Sequence, residues 1–224
     1  MKKELYQAIE QHMLTIMDDS AHDCEHVYRV LYNTLEIAKG ESVDSDILIA
    51  ACLLHDIGRP DQVADPSLCH AAVGSEKAYR FLLELGMGED FAAAVRHCIA
   101  THRFRKNLQP QTLEAKILFD ADKLDVTGAI GIARTLMYRG TLTEPLYRHL
   151  PDGTISNGTE DIGHSFFREY KFKLEKLYDR FYTEKGAALA ANRRKAARDF
   201  YESLYAEVSQ GYDAGRKNLS GLLE

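Results

Sequence analysis

Apolar residues recur every three to four positions along most of this 224-residue chain, and alternating Val/Ile/Thr/Tyr runs are missing, so the pattern predicts helices rather than strands. The spacing places helices near residues 2–17, 23–40, 45–55, 66–85, 89–102, 111–126 and 128–139, with Gly40 and Gly86 closing two of them. One stretch is apolar at every position, Ile47 to Leu54. Apolarity alone would also allow a buried strand, but its Ala-Ala-Cys-Leu-Leu content and the capping candidates Asp44 and Ser45 favour a helix. Asp65-Pro66 supplies another helix start, with Asp as cap and Pro in the first helical position. From Gly140 to Gly163 the periodicity dissolves into Pro145, Pro151, Asp152-Gly153 and Asn157-Gly158, which predicts a long surface loop that could serve as a mobile lid. Phe166, Phe167, Tyr170, Leu174, Leu177, Tyr178 and Phe181 then return at helical spacing, an aromatic stripe expected to pack C-terminal helices onto the core, followed by a charged helix from about 186 to 210.

The expected architecture is therefore all-α, a helical bundle with additional C-terminal helices. At 45% hydrophobic the chain can bury one substantial core and is short for two independent domains, so a single domain over 1–224 is expected. Its core would span about 20–140, the loop 140–163 and the C-terminal helices 164–213. A net charge of -6 argues against a nonspecific grip on nucleic-acid phosphates. The start lacks the long apolar core of a secretion signal, and no later segment is long and apolar enough to cross a bilayer, so a cytoplasmic protein without membrane or polynucleotide partners is expected. Cys24, Cys52, Cys69 and Cys98 show no CxxC spacing and read as reduced core residues.

The chemistry gathers around a doublet, His55-Asp56, at the end of the apolar stretch. Adjacent metal-type ligands on a buried element suggest a rigid metal centre, with His26, His70, His102 and Asp122 as candidate partners. Helical phase sorts the polar residues. Phe91, Val95 and Cys98 form an apolar line that His102 continues, whereas His97 lies on another face. Asp120 shares a side with Lys116 and Lys123, where local ion pairs explain it, while Asp122 groups inward with Leu118, Ala121 and Asp125. His26 flanks the stripe of Val27, Val30, Leu31 and Leu35 and shares a face with His22, so either could be the first ligand. His70 sits at the edge of its helix's apolar face, where a first-turn surface histidine is an equal reading. His12, His149 and His164 have no supporting context.

The order His26, His55-Asp56, Asp122 resembles the H...HD...D signature of the HD-domain superfamily, helical metal-dependent phosphohydrolases. The stretches from Ala21 to Val30, Ala50 to Ile57, Ile99 to His102 and Thr112 to Leu124, continued by Gly128 to Arg134, resemble the bacterial YedJ/YpgQ-type branch over roughly residues 20–140. The resemblance selects His26 over His22 and implies that His26, His55, Asp56 and Asp122 ligate one divalent cation, Mn2+ or Mg2+ ahead of Fe, Co or Zn. It implies hydrolysis of phosphoester or phosphoanhydride bonds of nucleotides, and a YpgQ-like member would release pyrophosphate from (deoxy)nucleoside triphosphates. Ile57-Gly58-Arg59 is also similar to the HD-x-G-Lys segment of the cyclic-dinucleotide phosphodiesterase branch, whose extra histidines His70 and His102 could match as ligands of a second metal. The departures are the missing histidine pair at 102, the missing GYP tripeptide and a shorter interval to His70. They leave the second metal open and argue against cyclic dinucleotides as substrate.

The mechanism expected from this resemblance is attack of metal-bound hydroxide on phosphorus. Asp56 or Asp125 would orient or deprotonate the water, Arg59 and Lys123 would neutralise phosphate oxygens, and His102 would serve the leaving group or a second ion. For Arg59 a solvated loop charge is an equal reading, for Lys123 a surface ion pair is the favoured one, and Arg29 and Arg134 read as structural ion-pair partners. Two alternatives belong to other classes: a di-iron oxygenase using His26, His55, Asp56, His70, His102 and Asp122, and a noncatalytic nucleotide sensor. The partner expected is a small phosphorylated substrate, with a homodimer left open.

Overall fold

A computed structural model describes residues 1–17, 24–104 and 108–223. The described residues form helices joined by turns, with no strand and a single antiparallel bridge between His149 and Ile155. The all-α expectation is met. No helix among them is long and apolar enough to cross a membrane. The contacts divide the chain into two compact units where the sequence suggested one domain, the first spanning Met1–Asp125 with Phe181–Gly186, the second Val126–Arg180 with Ala187–Glu224.

The first unit contains α1 (Lys3–Met17), α2 (Cys24–Ala38), α3 (Ser45–Leu54), α4 (Arg59–Ala64), α5 (His70–Glu84), α6 (Glu89–Thr101) and α7 (Leu113–Leu124). The apolar stretch from Ile47 is indeed helical and forms most of α3. A helix apolar on all sides must be surrounded, and α3 touches α1, α2, α5, α6 and α7. Its start is fixed as expected by Asp44, whose carboxylate accepts from the backbone N–H of Asp46 at 2.8 Å and Ile47 at 3.2 Å. Asp65-Pro66 does not open the next long helix. Asp65 instead accepts from the N–H and hydroxyl of Ser67 in a local turn, and α5 begins at His70. The short α4, with Pro60 in its first turn, had no hydrophobic period to announce it.

Asp120 departs most from its sequence reading. Rather than pairing with lysines at the surface it is fully buried, and its carboxylate accepts from the backbone N–H of Tyr182 and Thr183 and from the Thr183 hydroxyl at 2.7–3.1 Å. These donors lie at the start of the last helix, α10 (Glu184–Leu223), whose first residues belong to the first unit.

In the second unit, α8 (Gly128–Thr141) and α9 (Phe166–Phe172) are followed by a 3-10 helix (Leu174–Asp179) and the bulk of α10. The aromatic stripe packs against α10, with Tyr170 stacked on Tyr201 at 4.1 Å and Phe167 edge-on to Tyr201 at 5.4 Å. The segment expected as a surface loop is partly buried: Ile155, Ser156 and Asp161 lie inside the unit, and the Tyr201 hydroxyl donates to the Asn157 carbonyl at 2.6 Å. The final helix runs to Leu223, well past the expected end near 210, and residues 210–223 are exposed throughout.

The turn joining α3 to α4 is held against α5 by a glycine contact. A Cβ on Gly58 would stand 2.3 Å from the His70 carbonyl oxygen and 2.6 Å from the Gly74 nitrogen. Both obstacles are backbone and cannot swing away. Gly58→Ala is therefore expected to lower unfolding free energy by about 1–3 kcal/mol, read as a reduced urea midpoint, as in other overpacked sites.

Candidate metal centre

Four histidines and two aspartates of the first unit meet at the ends of its helices. His55 follows α3 as its C-cap and His102 follows α6 in the same way. Each donates its Nδ1–H to the carbonyl three residues back, His55 to Cys52 at 2.7 Å and His102 to Ile99 at 2.6 Å. The carbonyl can only accept, which fixes the tautomer and leaves both Nε2 atoms as lone-pair donors. His26, in the first turn of α2, places Nδ1 2.7 Å from the Asp125 carboxylate and is fixed likewise. His70 opens α5, with Nδ1 2.5 Å from the side-chain oxygen of Gln62 on α4. An Arg103 nitrogen lies 3.3 Å from the same Nδ1, but the nearer carbonyl oxygen assigns the proton to the ring.

Asp56 stands at the middle, wholly buried. Its Oδ2 lies 3.6 Å from Nε2 of His26 and of His55, and its Oδ1 3.4 Å from Nε2 of His70 and 3.8 Å from Nε2 of His102. Asp122, a quarter exposed, approaches His26 Nε2 at 3.3 Å. His26, His55 and Asp56 thus form one group whose ligand atoms all lie within 4.8 Å of one another, and Asp56, His70 and His102 form a second. The two share one carboxylate.

The donor set fits a cation. Both oxygens of Asp56 and the Nε2 atoms of His70 and His102 are buried without a hydrogen-bond partner. The Nε2 atoms of His26 and His55 face each other at 3.4 Å, and with both protons on Nδ1 this brings two lone pairs together. Buried acceptors crowded in this way are costly unless positive charge lies between them.

Burial would raise the Asp56 carboxyl, but His55, Arg59, His102 and His26 outweigh it and hold it well below the usual carboxylate range. Asp122 follows the same pattern: burial acts upward, and its close contact with His26 together with the neighbouring imidazoles holds it down. Burial, then the His55 ring, pushes His102 down to about 4; burial, then Arg59, pushes His70 down to about 2. Both histidines are thus neutral at pH 7, as ligands must be. The inward-turned Nε2 atoms of both, buried without a hydrogen-bond partner, are placed as ligand atoms would be.

The remaining candidates fall on either side of the cluster. Arg59, first residue of α4, pairs with Asp56 through Nε at 3.0 Å, so it is not a solvated loop charge. The Lys123 ammonium lies over the Phe119 ring, 3.9 Å from its centroid, with Phe181 at 5.5 Å. Asp125 reaches Nδ1 of His26 and the Arg29 guanidinium, on the opposite side of that ring from Asp122. Arg29 is the ion-pair partner expected of it. His97 is apart from the cluster, accepting from the Gln111 N–H, and His12 stacks on Phe81. His22 lies outside the described residues. Cys52 and Cys98 are buried and reduced, their thiols pushed up to about 12 by burial, whereas Cys24 and Cys69 are only half-buried. The sequence reading passed over Gln62 and Arg103; the Gly58 and Pro60 helix-start signal offered the means to find Gln62.

The HD domain family model matches residues 24–127. The uncharacterized protein YpgQ of Bacillus subtilis is 32% identical over 220 residues, covering 95% of this chain and 98% of that protein. An HD-superfamily hydrolase from Bacillus thuringiensis superposes with a TM-score of 0.69 at 30% identity, over 92% of this chain and 98% of its own. The crystal structure of YpgQ in complex with ADP gives a TM-score of 0.69 at 27% identity, over 89% and 97%.

The lowered histidines set the direction of the acid response. With a folded pKa near 4 and an unfolded value near 6.5, His102 leaves the unfolded chain binding the extra proton between those values. Stability of metal-stripped protein is therefore complete above pH 6.5 and falls on acidification towards pH 4. Such a group contributes a slope of up to about 1.4 kcal/mol per pH unit. His102→Gln is expected to flatten this limb in urea denaturation measured at pH 7, 6 and 5.

Proposed function

The chain belongs to the HD superfamily, and on that premise we propose that it is a divalent-metal-dependent phosphohydrolase acting on nucleotides. The observation carrying this reading is Asp56, a buried carboxylate with two oxygens lacking donors, each turned towards a separate pair of histidines. Under this reading His26, His55, Asp56 and Asp122 hold one cation, Mn2+ or Mg2+, and Asp56, His70 and His102 can hold a second. When bound, such a cation lowers the pKa of water and offsets charge developing on phosphorus.

The chain's own groups account for binding and orientation. Arg59 is anchored through Nε beside Asp56 and keeps its other guanidinium N–H groups for phosphate oxygens. The Nδ1–H bonds of His55, His102 and His26 keep the Nε2 lone pairs aimed inward, so the ligands need little rearrangement on loading. Asp56 and Asp122, ionised at neutral pH, balance the charge of the cation. The ADP complex of YpgQ supports a nucleotide as substrate, and release of pyrophosphate from nucleoside triphosphates is the finer form of the proposal.

A panel of phosphorylated metabolites incubated with Mn2+-replete protein, scored separately for phosphate and pyrophosphate, tests the reading. Hydrolysis of at least one nucleotide is expected, absent in His55→Ala; protein that binds Mn2+ yet cleaves nothing in the panel rules it out. Arg59→Ala should lower kcat/KM by about 10- to 100-fold, the scale of a lost charge-assisted hydrogen bond. The sharing of Asp56 between two histidine groups also favours a second reading, a two-iron oxygenase. Anaerobically prepared protein would then carry two irons per chain and consume oxygen with an organic substrate.

A further inference from the structure

Asp122 and Asp125 stand one turn apart at the end of α7, and both address the same imidazole. Asp122 approaches His26 Nε2 at 3.3 Å, while Asp125, the C-cap of α7, meets Nδ1 at 2.7 Å. Helix α2 returns the arrangement: His26 and Arg29 are also one turn apart, and Arg29 donates to Asp125 through Nε at 2.8 Å and through Nη2 at 3.1 Å. Asp125 is 1% exposed, so this double anchoring supplies charge-assisted bonds to a carboxylate with no access to water.

We propose that Asp125, held by Arg29, is a positioning residue that fixes the tautomer and ring orientation of His26 and thereby sets the divalent-cation affinity of the His26–His55–Asp56–Asp122 group. The inference rests on the metal reading above for its cation, and on geometry alone for its tautomer. A carboxylate gripped by a guanidinium stays ionised and can only accept, so the ring proton is kept on Nδ1. That leaves Nε2 bare on the side of Asp56 and Asp122. A free histidine side chain in water favours the opposite tautomer, with the proton on Nε2, where it would block ligation. The same hydrogen bond makes the imidazole a stronger donor to a cation. Asp125 therefore acts through His26 and touches neither the substrate nor the metal.

A purely structural ion pair between α2 and α7 would stabilise the fold and leave the imidazole proton where it is, so two measurements separate the roles. Chelator-stripped protein labelled with 15N-histidine reports the tautomer by long-range nitrogen–proton correlation, the His26 signals being assigned with His26→Gln. Calorimetric titration with Mn2+ alone reports affinity. In the unsubstituted protein His26 should read as Nδ1–H. In Asp125→Ala the Nε2–H form should gain population and Mn2+ affinity should fall by about 10- to 100-fold, the usual range for loss of a ligand's outer hydrogen-bond partner. Asp125→Asn keeps an acceptor oxygen and should retain the tautomer with a smaller loss of affinity. It decides by affinity if the alanine variant fails to fold. An unchanged tautomer in Asp125→Ala, or Mn2+ affinity within about twofold of the unsubstituted protein in whichever variant folds, overturns the proposal. If the unsubstituted protein binds no divalent cation, the functional reading falls, while the tautomer of the stripped protein still decides this one.

Discussion

An ionised carboxylate buried away from water costs several kcal/mol unless positive charge stands beside it, and Asp56, wholly buried, has the Arg59 guanidinium 3.0 Å away and four imidazoles around it. The rest of the first unit is arranged around this cost. Helix α3 is apolar on every side and is contacted by five other helices, and it carries the doublet at its end into the interior. The four imidazoles reach it from α2, from the ends of α3 and α6 and from the start of α5, and a guanidinium from α4 stands against it. Backbone contact at Gly58 and Gly74 sets how close α5, and hence His70, comes to the doublet.

The centre is assembled chiefly from helix ends, and this has an electrostatic logic. His55, His102 and Asp125 all sit at C-caps, where unpaired carbonyl dipoles present partial negative charge. Those carbonyls serve twice: they favour a cation nearby, and those of Cys52 and Ile99 hold the ring protons that would otherwise compete for the metal side.

Helix ends also explain what the sequence could and could not disclose. Phase around a helix axis separated buried His102 from His97, because both positions lie within one periodic segment, while Asp122, read as inward, is a quarter exposed with its carboxylate turned to His26. The same reasoning put Asp120 at the surface, since its true partners, Tyr182 and Thr183, lie some sixty residues on in the chain and no local spacing encodes them. Asp125 was legible as an inward residue but not as the outer partner of His26, which depends on how α2 and α7 pair. The loop before Phe166 read as surface because Pro, Gly, Asp and Asn dominate it, although buried Ile155 and Ser156 anchor it within the second unit. His26 itself was selected by resemblance to a family, not by phase.

The grip of Asp120 on the chain around Thr183 has a consequence for biogenesis. The helices carrying the candidate metal ligands are all synthesised by residue 125, yet the donors that satisfy this carboxylate emerge only after a further stretch of about sixty residues has been made. Until then that carboxyl group lacks the donors that satisfy it in the finished fold. A chain cut anywhere before Tyr182 would keep every candidate ligand and still fold against that deficit. The segment around Thr183 therefore completes the buried hydrogen bonding of a unit whose other helices precede it by some sixty residues.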